Sequence, residues 1–116
     1  MTKLLIGLVL ALVTSTPCYA IRIVGTISCG DWVQARQQGG LPKDVYSFWV
    51  LGFLSGSVIQ TNQDVLREVN SNAIEIWIDN YCQKNPLDQL AKAADALFEE
   101  LKARNRRSQV GRGGRA

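Results

Sequence analysis

The sequence predicts an all-α protein, a small bundle of about four helices closed by one disulfide. Three observations carry that expectation. Apolar residues recur at helical spacing in three long stretches, and no segment alternates strongly enough to compete as a strand. Pro and Gly fall where helices start and stop rather than inside strand-like runs. After an export-type N-terminus, two cysteines remain, Cys29 and Cys82.

Met1–Ala20 has an early cation, Lys3, an apolar run from Leu4 to Val13, and Pro17 before Cys18-Tyr19-Ala20. This is a secretory signal layout with cleavage expected after Ala20. An alternative reading lipidates Cys18. The apolar run is shorter than the roughly 20 residues that a membrane span requires. The expected organisation is a signal peptide at 1–20, a helical domain at 21–101 and a tail at 102–116. The expected location is the periplasm. In an oxidising compartment, two cysteines most often pair. The closed loop of about 54 residues corresponds to roughly 4 kcal/mol in a chain-entropy account.

Each element has its own signals. Residues 21–28, "IRIVGTIS", read as a short arm. Asp31 is expected to cap a short helix containing Trp32, Ala35 and Arg36, which Gly39-Gly40 ends. Pro42 at a first helical position and Asp44 in the first turn open the second helix. Its residues "DVYSFWVLGFLSGSVIQ" are apolar nearly all round, which predicts the buried central element. Gly52 and Gly56 share one face there, as a close helix–helix approach would require.

"TNQDVLREVNSN" reads as a loop or one or two helical turns. Ser71 is expected to cap a third helix that runs to about Lys84. Ile74, Trp77, Ile78, Tyr81 and Cys82 form its inner face. A bridge from Cys82 to Cys29 would then tie the end of this helix to the start of the first. For the fourth helix, Asn85 is the expected cap and Pro86 the first residue. Leu87, Leu90, Ala91, Ala94, Leu97, Phe98 and Leu101 form its apolar stripe.

Charge divides the chain. Residues 21–101 hold six Lys/Arg against ten Asp/Glu, whereas 102–116 hold six Lys/Arg and no acid. "RNRRSQVGRGGRA" lacks apolar periodicity and reads as a disordered basic tail. It is either a solvated end or a contact for an anionic surface. Arg104, Arg106, Arg107, Arg112 and Arg115 are the candidate contacts, a peripheral anionic membrane is a candidate surface, and nucleic acid is not expected.

The chain has no histidine, which removes the commonest general base and the commonest metal ligand. Two cysteines far apart make a poor zinc site, and no phosphate loop or nucleophile elbow is present. No enzyme activity, cofactor or metal is expected. Cys29 and Cys82 have Asp31 and Asp79 nearby in sequence, with Lys84 the one neighbouring cation, which favours a structural bridge over a redox pair. Trp32, Phe48, Trp49, Phe53, Leu54 and Trp77 are candidates for an apolar binding surface, against the alternative of core filling.

"SCGDW", "FWVLGF" and "NYCQKNPLDQL" resemble the HdeA/HdeB family of small periplasmic acid-stress chaperones. Tyr81-Cys82-x-Lys84-Asn85-Pro86 with Leu90 looks like the HdeB version, and Cys29-x-Asp31-Trp32 like the family's cysteine–acid–aromatic opening. The similarity spans roughly residues 28–100. It implies an all-helical fold with a Cys29–Cys82 bridge. It also implies an ATP-independent holdase that loosens in acid and binds unfolding proteins through exposed apolar surface, with a homodimer among its forms. The alternative from the residues alone is a non-catalytic binding module. That module would be accessory to a secretion or conjugation system, or an inhibitor of one exported partner.

Overall fold

The computed structural model describes residues 27–114. The signal-peptide reading of 1–20, most of the expected arm, and Arg115 lie outside the described residues. Four helices follow one another: α1 (Cys29–Gln38), α2 (Gly40–Thr61), α3 (Ser71–Lys84) and α4 (Leu90–Gly113). The one extended feature among the described residues is an antiparallel bridge between Ser28 and Gln89. The all-α bundle closed by a disulfide is therefore the observed fold. Cys29 is bonded to Cys82 with Cα atoms 4.8 Å apart, joining the first residue of α1 to the last turns of α3.

Capping explains α1. Ser28, not the expected Asp31, is its N-cap. The Ser28 Oγ accepts from the Asp31 amide at 3.0 Å, and the Asp31 carboxylate accepts from the Ser28 amide at 3.0 Å. The two residues thus close a reciprocal capping box, and Asp31 sits in the first turn. The helix ends at Gly39, whose φ of +67° and ψ of −167° lie in a region essentially reserved for glycine. Gly40 follows at φ +68° and begins α2. Pro42 lies in the first turn of α2, where its missing N–H removes no helical bond. At the far end of α2, Asn62 adopts the left-handed conformation that Asn tolerates.

The same kind of shift occurs at α3, where Asn70 rather than Ser71 is the cap, its Oδ1 accepting from the Ala73 amide at 2.8 Å. A larger correction concerns α4. Pro86 does not open it; the helix begins four residues later, at Leu90. The reason is non-local. The first amides of α1 have no partner in their own helix. Those of Cys29 and Gly30 donate to Asp88 O at 2.8 Å and Pro86 O at 3.2 Å, while Leu90 N donates back to Ile27 O at 2.7 Å. Segment 86–89 stays unwound to supply those carbonyls. Leu87 is consequently 94% exposed instead of joining the apolar stripe, and Ala93 takes the buried place expected for Ala91.

The tail is the second correction. Residues 102–113 continue α4 and are not disordered. Lys102, Ala103, Arg104, Arg106, Arg107 and Gln109 are good helix formers added to an already nucleated helix. The cations also suit the negative C-terminal end of the helix.

The core is one cluster. It joins Trp32 from α1, Val50 and Leu54 from α2, Ile74, Ile78 and Cys82 from α3, and Leu90, Ala94, Leu97, Phe98 and Leu101 from α4. Val65 anchors the α2–α3 loop in it. Both α2 and α3 pack chiefly on α1 and α4, so they flank the α1/α4 pair. This placement overturns the expectation of a buried central α2: only Ser47, Val50 and Leu54 of its 22 residues are buried.

Candidate functional site

The helical turn of 100° per residue puts Ser47, Val50 and Leu54 on one side of α2. The same rotation sends Leu41, Val45, Phe48, Gly52, Ser55 and Ile59 to the opposite side. Leu41, Phe48 and Ile59 are 74%, 73% and 81% exposed, and Val45 is half-exposed. The helix reads as apolar all round because it carries two stripes, one turned to the core and one turned away. The expected close approach at Gly52 and Gly56 is not made among the described residues, since a Cβ at either would meet nothing within 4 Å. Three hydroxyls on this helix are satisfied internally: Ser55, Ser57 and Thr61 donate to the carbonyls of Leu51, Phe53 and Ser57 at 2.7, 3.0 and 2.7 Å.

Of the candidate binding residues, Phe48 alone lies fully on this outward stripe. Trp49 and Phe53 stack on one another at 5.6 Å and are half-buried along its flank. Trp32 and Leu54 have no exposed surface and belong to the core. Trp77 stacks on Tyr81 at 5.6 Å and donates its Nε1–H to Glu100 at 3.0 Å, bridging α3 to α4. Reading the sequence for a core stripe alone missed Leu41, Val45 and Ile59. The signal that finds them is the second spacing, in steps of four and three, running opposite the first.

A polar network ties α1 to α3. The Arg36 guanidinium donates from Nε and Nη2 to Asp79, at 2.9 and 2.8 Å, and from Nη1 to Glu75 at 2.8 Å. Trp32 Nε1–H donates to the same Asp79 carboxylate at 2.7 Å, and Arg36 lies 5.8 Å over the Trp32 ring. All three charged side chains are about three-quarters buried. Asp79, then burial in the opposing sense, then Glu75 act on Arg36, and the net effect raises its pKa. One cation thus serves two carboxylates, and each loses its principal partner if Arg36 is withdrawn.

Two further carboxylates act at the α1/α4 junction. Ser28 holds Asp31 below its usual pKa by side-chain and backbone hydrogen bonds. The Tyr81 hydroxyl, at 2.8 Å, and then the Lys92 ammonium, at 3.1 Å, hold Asp88 below its own. The Tyr81 hydroxyl is correspondingly raised by donating to Asp88.

The basic end of α4 faces the α2–α3 loop across an open cleft of about 770 Å³, into which both Arg and Asp/Glu side chains project. Arg104, Arg106, Arg107 and Arg112 are exposed but spread around the helix, so they form a charged rod and not one basic face. No helix among the described residues is long and apolar enough to cross a membrane. No cluster of three or more His, Cys, Asp or Glu among the described residues is arranged to hold a metal ion.

Comparison with protein-family models, with curated proteins and with solved structures finds no match.

Proposed function

We infer that the chain is an exported, periplasmic holdase that binds unfolding proteins through apolar surface without ATP, as its resemblance to the HdeA/HdeB proteins implies. The observation that carries this reading is the pairing of a large uncovered apolar stripe on α2 with an α1/α3 contact held by carboxylates. Acid protonates carboxylates, and the Arg36 contacts that join α1 to α3 depend on two of them. The same protonation opens the Asp31 box and the Asp88 contacts. The disulfide keeps the start of α1 beside α3, so loosening widens the apolar surface without releasing the whole chain.

The test is aggregation of an acid-labile client at about pH 2–4, the range in which carboxylates neutralise. The oxidised chain should suppress it and bind a dye for apolar surface over the same range. A chain that stays compact and protects nothing ends this reading. A second reading, a binding module for one exported partner, is favoured by the stripe being uncovered in the folded form. It requires a stoichiometric partner at neutral pH.

A further inference from the structure

We propose that the cleft between the last turns of α4 and the α2–α3 loop is an anion site, taking a ligand that carries two or more phosphate groups. The site is separate from the α2 stripe and does not depend on the holdase reading.

The first argument is what α4 does beyond the bundle. At 100° per residue, Leu90, Ala94, Leu97 and Leu101 lie on one face, and all four are buried. The same rotation continues that face through Arg104, Asn105, Ser108 and Arg112. The face turned toward the bundle thus changes from apolar to polar and cationic after Leu101. It overhangs the loop across the cleft of about 770 Å³, within the size range of small-molecule sites. Val65 from the loop and Leu101 from the helix both line the cleft and are both buried, so its two walls are fixed at their base.

Unbalanced charge is the second argument. Five cations line the cleft against two acids, Asp64 and Glu68. A purely structural seam would pair these across the gap. Instead, Asp64 takes Arg67 Nε at 2.9 Å on its own wall, and Lys102 takes Glu99 at 3.0 Å along its own helix. Among the described residues no salt bridge crosses the cleft, and Arg104, Arg106 and Arg112 make none at all. The loop leaves these guanidiniums unneutralised, and an anionic ligand would neutralise them.

Spacing and donor type select the ligand. Arg104 and Arg112 are two turns apart, about 12 Å along the axis at the helical rise. Two stations so far apart suit a ligand with several charged groups better than one small ion. Guanidinium forks match phosphate oxygens in pairs. The side-chain amides of Asn105 and Gln109 add neutral N–H donors to the same wall, a mixture typical of phosphate contacts. A phosphate group has more oxygens to satisfy than a carboxylate, and this wall supplies the donors. A soluble polyphosphate and a lipid headgroup with two phosphates share this chemistry.

Calorimetry of the disulfide-bonded chain at neutral pH and low salt should show tripolyphosphate binding about tenfold or more tightly than orthophosphate, as two charge-assisted contacts in place of one imply. Arg104→Gln and Arg112→Gln should each weaken tripolyphosphate about fivefold or more, with the helical signal unchanged. Arg107→Gln removes the same charge from the same helix but lies outside the cleft, and it should change little. Glu68→Gln should tighten binding by removing a repelling charge from the loop wall. Vesicles with cardiolipin, set against vesicles of phosphatidylcholine alone, distinguish the sources. Capture that tripolyphosphate displaces and Arg112→Gln weakens assigns the headgroup, whereas tripolyphosphate binding without capture assigns the soluble anion. No binding of tripolyphosphate, an equal loss with Arg107→Gln, or equal affinity for an oligo-aspartate of matched charge overturns the proposal.

Discussion

Arg36 grips Asp79 with two guanidinium nitrogens, at 2.9 and 2.8 Å, across 43 positions of sequence. The same carboxylate takes the indole N–H of Trp32, whose ring is wholly buried beneath the pair. Asp79→Asn keeps the shape but removes the charge, leaving Arg36 with Glu75. A loss of about 1–2 kcal/mol follows, from charged hydrogen bonds that are partly exposed. Urea unfolding should show the lower midpoint, whereas Asp79→Ala, which also removes the acceptor of the Trp32 indole N–H, should shift Trp emission to the red.

Acid sensitivity has a definite sign. Asp31 and Asp88 are both held below their ordinary pKa by hydrogen bonds to the ionised form. Their contribution is full above the unfolded-state value near 3.8, and it is lost as pH falls through the lower folded-state values. Urea midpoints should be flat from pH 7 to 5 and fall below about pH 4. Asp31→Asn should lower the midpoint at pH 7 and flatten that acid limb; an unchanged limb would remove the capping box from the explanation.

Gly39→Ala should cost about 1–3 kcal/mol through backbone strain alone, because its φ of +67° is disfavoured for a residue with a Cβ while the site has empty space around it. Gly111→Ala, on the exposed end of α4, should instead raise far-UV helicity, since that end is helical and open. An unresponsive spectrum would return residues 102–113 to a disordered tail.

The Ser47 hydroxyl is buried and makes no hydrogen bond among the described residues. Ser47→Ala should be neutral or stabilise the fold by up to about 1 kcal/mol in thermal or urea unfolding. A clear loss would reveal a partner for that hydroxyl.

Replacing Cys29 and Cys82 together by Ser should lower stability by roughly 4 kcal/mol, the loop-closure value for this span, in a chain whose stability is expected at only ~5–15 kcal/mol. Reduction of the wild type should match it. A cooperative melt left unmoved would show that the buried contacts suffice without the bridge.

Helix content, the inward face of α3 and the partnership of Cys29 with Cys82 were legible because each rests on local spacing and on the pairing of the two cysteines expected in an exported chain. Cap identities slipped by one to three positions because Ser28/Asp31 and Asn70/Ser71 offer similar side chains, and only backbone geometry chooses between them. Other features were settled by the tertiary structure. Pro86 is a sound helix opener by itself, but α1 needed the carbonyls of Pro86 and Asp88 for its free amides, so α4 began at Leu90. An apolar α2 reads as a buried helix from composition. Its actual exposure depended on which neighbours arrived, and α1 and α4 covered one side while Phe48 and Ile59 stayed outside. Periodicity is written in each segment, whereas the destination of a face or an orphan N–H is decided only when segments meet.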